Sequence, residues 1–151
     1  MSRFRTRIGP SVEAELSAAR RAANRGHWSQ AFARLERAHV LGQASTPLHV
    51  RVHWHMLVWG LRQRSARELL GQSVRLIGAA TKTPFGLVPT GNTGGANVSP
   101  VRRMAIAPDL QQLIDAARSA TLGYRESRFD HYVQGVLQRD SRAQAALTPQ
   151  E

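Results

Sequence analysis

Cysteine is absent from the chain. Disulfide frameworks, thiolate metal sites and cysteine nucleophiles are thereby excluded, and any metal ion must be held by histidine, carboxylate, carbonyl or water. Aromatic residues make up only 6% of the sequence, so a core has to rest mainly on aliphatic side chains. No apolar run approaches the roughly 18–20 residues that span a bilayer, and no membrane insertion is expected. The N-terminus, Met1-Ser2-Arg3-Phe4-Arg5-Thr6-Arg7, is basic but lacks the apolar centre of a secretory signal, which makes the expected location cytoplasmic. Lysine is nearly missing too, Lys82 being the only one.

What is present is enough for one compact domain with a tail: 151 residues, 42% of them hydrophobic. The net charge is +11, carried almost entirely by arginine. Three readings of that charge stand side by side. It reflects an arginine-biased genome, or contact with nucleic acid or another polyanion, or complementarity to an acidic protein partner. The arginines are scattered (Arg20-Arg21, Arg62 and Arg64, Arg102-Arg103), with no dense basic arm and no nucleic-acid motif, so DNA binding is not favoured.

The pattern along the chain is helical. Pro10-Ser11 reads as the start of a first helix with Ser11 as N-cap and Val12, Leu16, Ala19 and Ala23 as its stripe. Gly26 ends it. Ala31, Phe32, Leu35, Ala38 and His39 share a second stripe that stops at Gly42. From Ala22 to Ala38 the two segments resemble one tetratricopeptide unit, without a second copy at the expected spacing. Ser45-Thr46-Pro47 opens a third helix carrying His49, Val52, His53, Met56, Trp59 and Gly60 on one side. Ser65-Ala66-Arg67-Glu68 is a capping box for a fourth, with Leu69, Leu70, Val74 and Ile77 expected to line it. A stretch rich in glycine, asparagine and proline follows, and Pro108-Asp109 starts a last helix with Leu110, Leu113, Ile114 and Ala117 apolar. The expectation is an all-α array of about four to five helices with a Gly/Asn-rich irregular loop before the last main helix. Residues 1–10 are read as a flexible basic N-terminus, 11–122 as a single helical domain and 123–151 as a polar extension, partly disordered. Within that extension Phe129, Tyr132, Val133 and Leu137 suit a short amphipathic helix.

The most specific chemistry is carried by histidine. His49 and His53 are one helical turn apart and share a face. Glu36-Arg37-Ala38-His39 is a Glu-x-x-His step on the preceding helix. A short connection makes these helices antiparallel neighbours, which brings His39 beside His49, with His53 one turn deeper and Glu36 at about its depth. Such a set would hold a transition metal such as zinc, iron or copper, with Glu36, His39, His49 and His53 as ligands and Glu15 as an extra ligand or a partner behind an imidazole. The alternative is a buried hydrogen-bond network that fixes the packing. His55 points away from this face. A His-Glu-x-x-His peptidase motif is absent, and di-iron bundles need two Glu-x-x-His steps where this chain has one.

The run Gly91-Asn92-Thr93-Gly94-Gly95-Ala96-Asn97 matches neither a dinucleotide fingerprint nor a phosphate loop. It is either a tight cover over the helices or an anion- or substrate-binding lid built on Asn92, Thr93, Gly94, Gly95 and Asn97.

Three blocks together, Leu35–Gln43, His49–Trp54 with Met56-Leu57, and Val88–Val98, resemble a family of small bacterial proteins catalogued as domain of unknown function 3703. The resemblance covers about Glu13 to Leu113. Members of that family occur beside genes for metal efflux and metal-responsive regulation, so the resemblance implies metal handling and strengthens Glu36, His39, His49 and His53 as candidates. The expected function is transition-metal binding in homeostasis or resistance. The rivals are a tetratricopeptide-like module for an acidic protein partner, with structural histidines, and a basic nucleic-acid-associated protein. A homo-oligomer is compatible with each.

Overall fold

The computed structural model describes residues 3–119, 127 and 129–132. The described residues are all helix and loop, without a strand. Four long helices follow one another through short turns: α1 (Arg3–Asn24), α2 (Trp28–Gly42), α3 (Thr46–Arg62) and α4 (Ala66–Lys82). A 3-10 turn, Thr83–Phe85, ends α4. An irregular segment leads from there to α5, residues 108–119. Contacts divide the chain into two units, Met1–Ala117 and Arg118–Glu151. In the second, residues 127 and 129–132 are helical and exposed. The rest of the expected amphipathic helix, with Val133 and Leu137, and most of the expected polar extension lie outside the described residues.

The turns follow from local chemistry. Gly26 takes a left-handed φ of 76°, which a side chain would resist, and so reverses the chain between α1 and α2. Gly42 is the last residue of α2, as its position after the apolar stripe suggests. Pro47 sits in the first turn of α3, where its missing N–H costs no hydrogen bond. The Ser65 hydroxyl accepts from the Glu68 amide (3.3 Å), one half of the expected capping box. The other half is not made, because the Glu68 carboxylate turns inward to Gln72 and Ala96.

One core joins α1, α2, α3 and α5. Ile8, Val12 and Leu16 from α1 meet Leu35 and Ala38 from α2, Val52 and Met56 from α3, and Leu110 and Ile114 from α5. Two expectations are corrected by this packing. First, residues 3–10 are helical: α1 starts at Arg3 and contains Pro10. Phe4 and Ile8 lie about two turns and one turn ahead of Val12 on the same stripe and pack into the core. That burial holds the helix through an exposed proline that removes one backbone hydrogen bond.

Second, α4 is rotated by about half a turn from its apolar pattern. Leu70, Val74 and Ile77 are 73%, 64% and 68% exposed. The buried face carries Glu68, Gln72 and Ala79 instead, with Arg75 half-buried among them. Positions 68, 72, 75 and 79 form one stripe at 100° per residue. Its polar groups are buried because each finds a partner, and the partners are the histidines of α3 and the loop above them.

Candidate metal centre

His39 comes from the last turn of α2, and His49 and His53 come from the first two turns of α3. All three are buried, at 2%, 4% and 2% exposure. Their Nε2 atoms form a small triangle: 2.8 Å from His39 to His49, 3.1 Å from His39 to His53, and 3.1 Å from His49 to His53. No other group of three metal-ligating side chains with this closeness occurs among the described residues. Nitrogens bound to one tetrahedral ion at about 2.0–2.1 Å lie about 3.3–3.4 Å apart, so the donor set matches such an ion after each ring moves by a few tenths of an ångström.

The outer nitrogens decide which way the lone pairs face. The Nδ1–H of His39 donates to the Asn92 carbonyl at 2.8 Å. His53 Nδ1 lies 2.6 Å from Gln72 Oε1. That amide is held in orientation because its Nε2 donates both to Glu68 Oε1 (2.7 Å) and to the Gly94 carbonyl (2.9 Å). Both Nδ1 partners are therefore acceptors, and both rings carry their proton on Nδ1 with Nε2 bare. His49 Nδ1 meets the Thr83 hydroxyl at 2.7 Å, a group that accepts or donates. At most one proton, on His49 Nε2, is available inside the triangle. The His39–His53 edge has none, so two lone pairs face each other across 3.1 Å. A cation resolves that opposition.

Protons do not. Burial is the main reason that the His39 imidazole ionises only well below its ordinary range, with His53 and His49 adding and the Asn92 carbonyl opposing. His49 is lowered to about 3 by burial, by His53 and by Arg75. His53 is lowered to about 4 by burial, against the Gln72 hydrogen bond and with a further contribution from Arg75. The rings are neutral at physiological pH, the form that binds metal.

The glycine-asparagine loop is the roof of this site. Asn92 is 2% exposed and knits the loop from inside. Its amide donates to the carbonyls of Ser99 (2.9 Å) and Arg102 (2.8 Å), while its Oδ1 accepts from the Gly94 amide (3.0 Å). Gly94 has φ 82°, and a Cβ there would stand 2.7–2.9 Å from the His39 ring. Only glycine lets the backbone lie on the imidazole. Several of the loop's polar groups are engaged by the fold itself. The Ala96 amide is used by Glu68, the Gly94 amide and the Asn92 side chain are used within the loop, and Asn97 is exposed with its Oδ1 close to Gly95.

The two carboxylates expected near the histidines are placed elsewhere. Glu36 lies one turn before His39, on the side of α2 that faces Gly95, and is not part of the cluster. Burial raises its carboxyl above the usual range, the Thr93 hydroxyl opposes this, and the Glu68 carboxylate adds to it. Glu15 is taken up by Arg37 (2.8 Å) and Arg34 (3.1 Å), and is not free to back an imidazole. Gln72, Thr83 and the Asn92 carbonyl, which orient the three rings, were not foreseen. The one signal for Gln72 is its place four residues after Glu68 on a helix face that carries no leucine or isoleucine.

A family model described as a protein of unknown function (DUF3703) matches residues 6–114. The chain belongs to the DUF3703 family. No curated protein and no solved structure matches this DUF3703 chain. The match takes in the whole triad, the roof loop and α4.

Because Gln72 fixes both the tautomer and the angle of His53, Gln72→Leu is expected to weaken metal affinity about 10–100-fold. Cobalt titration at constant pH measures this, with circular dichroism to verify that the fold persists.

Proposed function

We propose that this chain binds a transition-metal ion through His39, His49 and His53, and that it serves metal homeostasis or resistance. The observation that carries the reading is the pair of bare Nε2 atoms of His39 and His53, 3.1 Å apart, with both Nδ1 atoms engaged by acceptors. Zinc, iron and copper suit imidazole donors. Glu36 and Glu15 are not needed as ligands in this reading. Three protein ligands leave a coordination position open, the arrangement of sites where an ion is exchanged or acts as a Lewis acid rather than of closed structural sites. The test is elemental analysis of untagged protein, followed by cobalt(II) titration watched by visible absorption. One ion per chain and new cobalt bands are expected. Protein that neither retains metal nor changes the cobalt spectrum overturns the reading.

A second reading has its own support. A groove of about 340 Å³ runs between α1, α2 and α3, and its lining includes Trp28, Trp54, Trp59, His55, Arg20 and Arg62. Aromatic and arginine side chains together suit an acidic protein segment. The exposed apolar stripe of α4 offers another contact face. In this reading the histidines serve only packing, and removing metal leaves the interaction unchanged.

A further inference from the structure

A cavity of about 130 Å³ borders the triad. On the same measure one water needs about 10–15 Å³, so the space exceeds what a single bound water requires and admits a molecule of several heavy atoms. Its lining includes the three histidines, Arg75 and Lys82, and no carboxylate. Both cations belong to α4, with Gly78 between them, where the missing side chain leaves room. Apart from Asn92, the remaining wall is apolar and includes Val74, Leu87 and Val88, of which Val74 and Leu87 stand largely exposed at the mouth.

The two charges that line the cavity are both positive and stand beside three neutral imidazoles, a poor setting for a bare metal ion, with the Glu68 carboxylate behind Arg75 and Gln72 only a partial offset. The arrangement becomes balanced when an anion enters with the ion. Arg75 has capacity for it: one N–H reaches the Val98 carbonyl, and the guanidinium has five donors in all. Lys82 lies at the last turn of α4 on the exposed side of the cavity. The apolar wall selects among anions. A fully hydrated inorganic oxyanion leaves Val74 and Leu87 wet, whereas a short alkyl chain covers them.

We propose that this cavity is a binding subsite for a small aliphatic carboxylate, with Arg75 and Lys82 holding the carboxylate beside the triad and Val74, Leu87 and Val88 covering the alkyl body. For what the carboxylate faces on the triad side, the assignment rests on the metal reading above. Arginine presents paired N–H groups that match a carboxylate's two oxygens, and lysine adds a point charge.

The experiment titrates butyrate and, separately, inorganic phosphate into the full chain, with and without cobalt(II), by calorimetry and visible absorption. Butyrate is expected to bind the cobalt-loaded protein and to change its spectrum. Arg75→Gln is expected to weaken butyrate roughly tenfold or more, while cobalt binding in the absence of butyrate is retained or tightened, because a like charge beside the triad is removed. Lys82→Gln, at an exposed position that cannot threaten folding, is expected to weaken it less. Cobalt binding without any butyrate response overturns the carboxylate subsite and leaves the metal reading intact. Butyrate binding that depends on Arg75 in a protein that takes no cobalt supports the subsite and overturns the metal reading. Phosphate binding as tightly as butyrate, or butyrate binding indifferent to both substitutions, overturns the assignment.

Discussion

Replacing His49 and His53 together by alanine abolishes stoichiometric metal binding. Two of three Nε2 donors vanish, and the remaining His39 is a single imidazole under a glycine roof. Loss of a residue that merely orients a ligand costs about 10–100-fold in affinity, and loss of two ligands must exceed that. The fold is expected to survive. The substitution opens space beside Thr83 and Gln72, at a cost of a few kcal/mol by analogy with other large-to-small changes. Against that loss, it removes two imidazoles whose desolvation is unfavourable. Elemental analysis and cobalt titration measure the first effect, and thermal unfolding the second. Metal content equal to that of the unchanged chain would show that the triad only fixes packing.

Acid is expected to unfold the metal-free protein well before its carboxylates titrate. In the unfolded chain a histidine ionises near 6.5. In the folded chain His49 ionises at about 3 and His53 at about 4, chiefly because of burial. Between those values the unfolded state binds protons that the folded state refuses, so stability falls as pH falls. Above 6.5 both states are neutral and nothing is lost. Each unit of pH below 6.5 costs up to about 1.4 kcal/mol per histidine. By pH 4.5 the two together remove up to about 5 kcal/mol, and His39 shifts in the same direction. That is comparable with the whole stability of many domains, about 5–15 kcal/mol. Glu36 works the other way: its raised carboxyl favours the folded state as pH falls, but it is only half-buried and weakly opposes the trend. Unfolding temperature measured from pH 7.5 to 4.5 should drop steeply below 6.5. The decline should flatten in His49→Ala with His53→Ala, and added zinc should delay it. A flat profile in the unaltered chain contradicts the burial of neutral imidazoles.

Sequence and structure agree where a single period governs the side chain. The i, i+4 spacing of His49 and His53, and a short link to the helix of His39, were enough to place three rings together. Glu36 illustrates the limit of that reasoning. It precedes His39 by three residues, close enough in angle to share a face, yet the loop of Thr93 and Gly95 covers its side of α2. No helical period reports where a loop of positive-φ glycines will lie.

The reversal of α4 has a different cause. Its leucine, valine and isoleucine stripe is the stronger apolar pattern, but Gln72 and Glu68 gain more from His53, Gly94 and Ala96 than they would from water. Hydrogen bonds to partners remote in sequence outweighed amphipathicity. At the N-terminus, the proline-serine pair has the chemistry of a helix start, but Phe4 and Ile8, interspersed with arginines, carry the apolar stripe back through Pro10.

Lys82 is the chain's single lysine. It stands exposed on the rim of the cavity beside the triad. A reagent that acylates amines, ordinarily an indiscriminate label, has one side-chain target in this protein besides the α-amino group. The rate of its attachment reports how the mouth of the cavity is occupied, and a fluorophore placed there would read events at the histidines from a few side chains away without any engineered residue.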